Sequence, residues 1–331
     1  MSKKFQVVGI GNAIVDVFSH IEDDFLTENG IDKGIMQLID TDRAAELYGK
    51  MGPATEKSGG SAANTVAGLA ALKAQTAYVG KVKDDQLGAI FAHDMRAQGA
   101  TFETPMSPKD HPEETARSMI LISPDGERSM NTYLGVSASL AVGDIDPNMM
   151  HETEWLYMEG YLYDKPASQH AFDKAASLVH AAGGKTSITL SDPFCVERHR
   201  AAFLALIRKN IDVIFANEHE LKSLYETDDL SMALSLASAD AEIVACTVGA
   251  RGAYIVQNGD EIHAPAYPTH VEDLTGAGDM FAAGVLYGLA NDRDLLTCGK
   301  MGCLAASEVI SHVGARPEKD LLTLYRAEGL I

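Results

Sequence analysis

The sequence predicts an α/β fold with a mostly parallel central sheet and a small β lid, and three observations carry that prediction. From Trp155 onward, apolar strand-like runs alternate with helical stretches, the pattern of a parallel sheet covered on both faces. Two segments, 18–40 and 111–135, break this rhythm with strand-like runs of their own. Near the end, Asp273-Leu274-Thr275-Gly276-Ala277-Gly278-Asp279 sets a glycine turn just before the apolar, helix-like run Met280–Val285.

The length, 331 residues, accommodates one large α/β domain plus an appendage, and 46% hydrophobic residues supply a sizeable core. A formal net charge of −20 argues against nucleic-acid or anionic-membrane binding, which call for a basic patch. The four cysteines, Cys195, Cys246, Cys298 and Cys303, form no C-x-x-C pair and read as reduced thiols of a cytosolic protein. No signal peptide fits the start, and no apolar run reaches transmembrane length, so the expected location is cytoplasmic.

The first strand is Phe5–Ile10, followed by Gly9-Ile10-Gly11 and Asn12. This G-x-G lacks the third glycine and the following helix of a dinucleotide fingerprint, so that reading is rejected. Asn12 and Asp16 then lie at or past the C-terminal edge of a strand, where open α/β sheets bind ligands. Asp16 is either a turn residue or an acceptor for two vicinal hydroxyls. The runs Phe18–Ile21, Gly34–Asp40, Ala116–Ile122 and Glu127–Leu134 look like strands, and Pro124-Asp125-Gly126 joins the last two as a hairpin. A small sheet over the main domain accounts for them; its apolar residues either face a ligand and exclude water or form a second small core. Between these segments, Gly59-Gly60-Ser61-Ala62-Ala63-Asn64 feeds a helix of small residues. Gly59, Gly60 and Asn64 can present polar groups to a ligand, although tight helix–sheet packing also explains the small side chains.

In the second half, strands are expected at 155–158, 187–190, 212–215 and 243–249, with helices at 167–182 and near 196–209. Asn217-Glu218-His219-Glu220 has the spacing of a helix capping box, which the residues alone favour over a hydrated Mg²⁺ site. Thr247-Val248-Gly249-Ala250-Arg251-Gly252 is an ordinary turn or a place for nucleotide phosphates. The histidines have no metal-ligand spacing, and no Ser/His/Asp order stands out.

The turn before Met280 leaves free N–H groups at a helix N-terminus, which favours a bound anion, and Gly276 and Gly278 allow close approach. A carboxylate at Asp279 is repelled by bound phosphate. It makes sense as the base that takes a proton from an attacking hydroxyl. The alternative is a first-turn carboxylate that only meets the helix dipole.

Together these pieces resemble the ribokinase-like carbohydrate and nucleoside kinase family. The matching motifs are Asp273–Asp279, Gly59-Gly60…Asn64, Asn217…Glu220 and Thr247…Gly252, in family order and covering residues 5 to about 315. The resemblance implies a ribokinase-like three-layer sandwich. Residues 1–17, 41–110 and 136–331 would form the large domain, and 18–40 and 111–135 the lid. It implies ATP and Mg²⁺ as cofactors, Asp279 as base and the amides of Gly276, Ala277 and Gly278 as anion hole. Asn217, Thr247, Gly249, Gly252 and Thr275 would meet the nucleotide, with Glu220 organising Mg²⁺ through water. A monovalent cation, K⁺, is implied beside Asp273. Gly11–Asp16 and Gly126–Met130 resemble the adenosine kinase branch, in which Arg128 would face the phosphates. Asn12, Asp16, Gly59, Gly60 and Asn64 would then hold the ribose of a nucleoside. Phe18, Met36, Met119 and Leu134 would enclose its base, with Tyr161 or Tyr163 stacking on it. Leu274 departs from the commoner small hydroxyl residue. A sugar kinase of the same family is the nearest alternative, and a silent nucleotide sensor a more distant one. Monomer and homodimer both stay open.

Overall fold

The computed structural model describes residues 3–331. Its first half contributes β1 (Phe5–Ile10), β2 (Ile14–His20), β3 (Met36–Leu38), β4 (Thr55–Gly59), β5 (Thr76–Val79), β6 (Thr101–Phe102), β7 (Ala116–Ile122) and β8 (Arg128–Tyr133). The second half contributes β9 (Thr153–Glu159), β10 (Lys185–Thr189), β11 (Val213–Asn217), β12 (Ile243–Thr247), β13 (Ala253–Gln257) and β14 (Asp260–Ala264).

Nine strands form the main sheet in the order β14-β13-β12-β11-β10-β9-β1-β5-β6. All pair in parallel except the closing β12–β13–β14 meander. Its central strands read as nearly unbroken apolar runs because helices cover both faces. Helices Pro166–Ala181, Pro193–Asn210, Glu218–Tyr225 and Leu230–Asp240 pack one face through Phe172, Phe203, Leu221 and Leu234. Helices Ser61–Ala71, Gln86–Ala97, Ala277–Leu289 and Leu295–Val309 pack the other through Val66, Phe91, Phe281 and Cys303. Each large apolar side chain buried this way contributes about 1.5–3 kcal/mol. The result is the expected three-layer ribokinase-like sandwich. All four cysteines are buried, and none forms a disulfide among the described residues. Among the described residues no helix is long and apolar enough to cross a membrane.

The second sheet has five strands, ordered β3-β8-β7-β2-β4. It is larger than segments 18–40 and 111–135: it also takes Ile14–Val17 through β2 and Thr55–Gly59 through β4. Strand-like Gly34–Asp40 contracts to the edge strand Met36–Leu38. Helices Asp23–Glu28 and Thr41–Lys50 cover one face, where Leu26, Leu47, Met119, Leu121 and Tyr133 form a separate small core.

Strand order reverses around β1: the chain builds β5 and β6 on one side of it and β9 to β14 on the other. Ligands of open α/β sheets bind at such a switch point, beyond the strands' C-terminal ends. The chain crosses between the two sheets four times, the first two crossings being at Gly11–Ala13 and at Gly60. The site is assembled where these crossings meet.

Candidate active site

Gly276 begins the helix Ala277–Leu289 with φ of 82°, and a Cβ there would lie 2.6 Å from Ala315 Cα. Only glycine fits that left-handed, crowded position. Among the described residues the N–H groups of Gly276 and Gly278 have no hydrogen-bond acceptor, whereas Ala277 N–H donates to Leu274 O at 3.3 Å. A Cβ on Gly278 would meet nothing within 4 Å, so space lies open above the turn. An anion therefore finds two free donors and a helix N-terminus in one place.

Asp279 sits in the first turn of that helix. Ser61 Oγ donates to its Oδ1 at 2.6 Å and Asn64 Nδ2 to its Oδ2 at 3.1 Å. Burial pushes the Asp279 carboxyl up to about 6, against these two hydrogen bonds and the charge of Arg316. The carboxylate is thus aimed across the cleft by a second helix, and its proton affinity suits a base near neutral pH.

Asp16 of β2 faces the same space. Burial pushes its carboxyl up to about 7, opposed first by Arg316 and then by Arg128. Gly59 lies against it: a Cβ on Gly59 would lie 2.1 Å from Asp16 Oδ2. Gly60 has φ of 95° and packs on Asn12 O, so the second crossing admits no side chain.

Asn12 lies just past the end of β1 and is held by protein groups. Its backbone N–H and Nδ2 donate to Glu159 Oε1 at 3.2 and 2.9 Å, and its Oδ1 accepts from Ser137 Oγ at 3.0 Å. It is 1% exposed. Glu159 Oε2 also accepts from Ala62 N–H at 2.9 Å. Asn12 and Glu159 together pin the end of β1 to the start of the Ser61 helix. Burial pushes Glu159 up to about 7, offset by these hydrogen bonds.

Register decides which lid residues overlook the site. Asp16 pairs with Ser118, which pairs with Thr132, beside Leu38; Phe18 pairs with Ile120, which pairs with Met130, beside Met36. Opposed residues share a face, so Phe18, Ile120, Met130 and Met36 lie on the side of Asp16. Met119 is out of phase, wholly buried in the lid's own core, and leaves the set. Leu134 lines a groove at the lid's base with Leu38, Thr132, Ala138 and Lys165. Tyr161 N–H and OH bond Ser191 Oγ and O at 3.2 and 3.1 Å on the large domain, whereas Tyr163 stacks on Phe203 in the core.

Arg128 starts β8 on the Asp16 face, with its guanidinium 5.9 Å from the Phe18 ring centroid. It reaches Asp273 Oδ2 at 2.8 Å, a buried ion pair that ties the lid to the glycine turn. Asp273 also accepts from Thr275 N–H and Oγ1 and from Gly314 N–H. Four donors therefore fill the two side-chain oxygens of Asp273.

Asn217 and Glu220 form the capping box. Asn217 N–H and Nδ2 donate to Glu220 Oε2 and Oε1 at 3.0 and 2.6 Å, and Asn217 Oδ1 accepts from His219 and Glu220 N–H. Both Glu220 oxygens are thus engaged, and burial pushes this carboxyl up to about 7, reinforced by Asp192. Direct metal ligation does not fit; contact through water does. No cluster of three or more metal-ligating side chains occurs among the described residues. Thr247 pairs with Asn217 across β11 and β12, and the turn Gly249–Arg251 follows it. Asn217, Thr247, Gly249 and Gly252 therefore lie together at the C-terminal ends of β11 and β12.

Three participants escape sequence reading. Glu159 carries a weak signal, a lone carboxylate ending an apolar strand. Ser61 is an unremarked hydroxyl within the glycine-fed helix start. Arg316 has no spacing signal at all: its Nε donates to Asn64 Oδ1 at 3.2 Å and its Nη1 to Ser58 Oγ at 3.0 Å.

Comparison with known proteins agrees with this fold. The model of the pfkB family carbohydrate kinases matches residues 31–321. A probable sugar kinase from Rhizobium etli has a structure 46% identical in sequence, with TM-score 0.91, covering 99% of this chain and 100% of that one. An adenosine kinase structure from Sinorhizobium meliloti is 48% identical, with TM-score 0.90, covering 98% and 99%. A 5-dehydro-2-deoxygluconokinase of Lacticaseibacillus casei is 28% identical, covering 98% of this chain and 96% of its own. The chain belongs to the pfkB family of carbohydrate kinases and is an ATP-dependent phosphotransferase with an alcohol group as acceptor.

Proposed function

We propose that this kinase acts on a nucleoside, adenosine, and forms its 5′-monophosphate. One observation carries the reading: on the lid face that shares Asp16, Phe18, Ile120, Met130 and Met36 form one apolar row across four strands, beside the polar row of Asp16, Ser118 and Thr132. A carboxylate beside an apolar shelf suits a ligand with vicinal hydroxyls at one end and a flat base at the other. A free sugar needs polar partners all round. The likeness to the adenosine kinase of Sinorhizobium meliloti supports the same choice.

In this reading Asp16 accepts hydrogen bonds from the ribose hydroxyls, and the 5′-hydroxyl points at Asp279. The 5′-oxygen attacks the γ-phosphorus of ATP in line as the bond to the β,γ-bridging oxygen breaks. Asp279 takes the hydroxyl proton and ADP leaves. The N–H groups of Gly276 and Gly278 receive the transferring phosphoryl oxygens, and Arg128 adds positive charge from the lid. Glu220 would hold Mg²⁺ through water, and the ion would supply positive charge at the phosphates. Asn217, Thr247, Gly249, Gly252 and Thr275 border the nucleotide.

A sugar kinase is the second reading, and the resemblance to a 5-dehydro-2-deoxygluconokinase supports it. Thermal unfolding separates the two. Saturating adenosine is expected to raise the midpoint by about 2 °C or more, with ribose and 5-dehydro-2-deoxygluconate near zero. A rise with a sugar and none with adenosine overturns the nucleoside assignment.

A further inference from the structure

We infer that Arg316 is a positioning residue for phosphoryl transfer: it orients Asn64 onto Asp279 and supplies the charge that lets Asp16 and Asp279 stand in one buried site. The inference rests on the reading of Asp279 as the base.

The geometry is a relay. Arg316 Nε holds the Asn64 carbonyl oxygen at 3.2 Å, which forces the amide nitrogen of Asn64 toward Asp279, where it donates at 3.1 Å. A flipped Asn64 would face the guanidinium with its NH₂ and the carboxylate with its oxygen, repelling both. Ser58 Oγ, at 3.0 Å from Nη1, fixes the other edge of the fork. One guanidinium thereby ties β4, the Ser61 helix and the segment after Gly314 together around the reacting carboxylate.

The electrostatics point the same way. Asp279 is faced by Ser61 and Asn64 from one helix, by Arg316, by Asp16 from β2, and by Tyr157 and Glu159 from β9. Arg316 is the charged group that favours the ionised form of Asp279, and it opposes the burial cost of Asp16 ahead of Arg128. Without it, two buried carboxylates compete for protons at neutral pH. A base must be deprotonated to work, so turnover falls as pH drops through its pKa, and losing the cation moves that fall to higher pH.

The test is kcat against pH for wild type, R316Q and R316K. In R316Q the acid limb is expected to move up by about one pH unit or more. R316K keeps the charge but not the planar fork; its limb is expected to stay near wild type while the acceptor KM rises about tenfold. An unmoved limb in R316Q, even with a lowered unfolding midpoint, overturns the inference and leaves Arg316 a packing residue. Should R316Q fail to fold, S58A loosens the same fork, and an upward shift of smaller size is expected; no shift overturns the inference. If wild type turns over no hydroxyl acceptor, the kinase reading itself falls. The ¹³C-carboxyl titration of Asp279 in wild type and R316K against R316Q or S58A then decides, with an unmoved midpoint counting against Arg316.

Discussion

Asp279→Asn is expected to lower kcat about a thousandfold, while the acceptor's KM stays close to wild type. The substitution is nearly isosteric and keeps a polar group between Ser61 and Asn64, which hold the carboxylate at 2.6 and 3.1 Å. What it removes is the proton acceptor. Because the loss belongs to the transition state, it appears in kcat and in kcat/KM alike. Steady-state kinetics at a pH well above 6 keeps the wild-type carboxylate ionised, since burial sets its pKa at about 6. Turnover within tenfold of wild type would remove Asp279 from the role of base.

Asp16→Asn is expected to do the opposite in kinetic terms. It exchanges a charged acceptor of two hydroxyls for a neutral amide, and each charge-assisted hydrogen bond contributes about 1.5–3 kcal/mol. The acceptor KM should therefore rise about a hundredfold, with a smaller change in kcat. An unchanged acceptor KM would mean that Asp16 does not hold the substrate.

The features that can be read along the chain are those held in contiguous residues. The Gly276–Asp279 turn is one: two glycines ahead of an apolar helix mark a candidate anion site and its adjacent acid without any long-range contact. The hairpin of β7 and β8 is another, because Pro124-Asp125-Gly126 fixes the turn between two apolar runs. Strand β4 is hidden for a physical reason. Thr55-Glu56-Lys57-Ser58-Gly59 lies at a sheet edge with its first three residues largely outside the core, so it carries no apolar run to betray it.

Register is the second thing a single chain withholds. Met119 and Ile120 are equally apolar, yet only Ile120 aligns with Phe18, and a shift of one residue exchanges the two faces. Asn12 shows a third gap. An asparagine beyond a strand end looks ligand-facing until Glu159, 147 residues away, claims its amide. The Asp273–Arg128 pair is of the same kind: a carboxylate that looks open to a cation is filled by an arginine from the lid. The proximity of Arg316 to Asn64, across 252 residues, has no local sign at all.

ADP release from ATP and Mg²⁺, compared for adenosine, inosine, ribose, fructose and 5-dehydro-2-deoxygluconate, tests the central assignment most directly. The apolar shelf beside Asp16 predicts a kcat/KM for adenosine about a hundredfold or more above that for any free sugar. Turnover with a sugar and none with adenosine would contradict it, returning Phe18, Ile120, Met130 and Met36 to the packing of the lid.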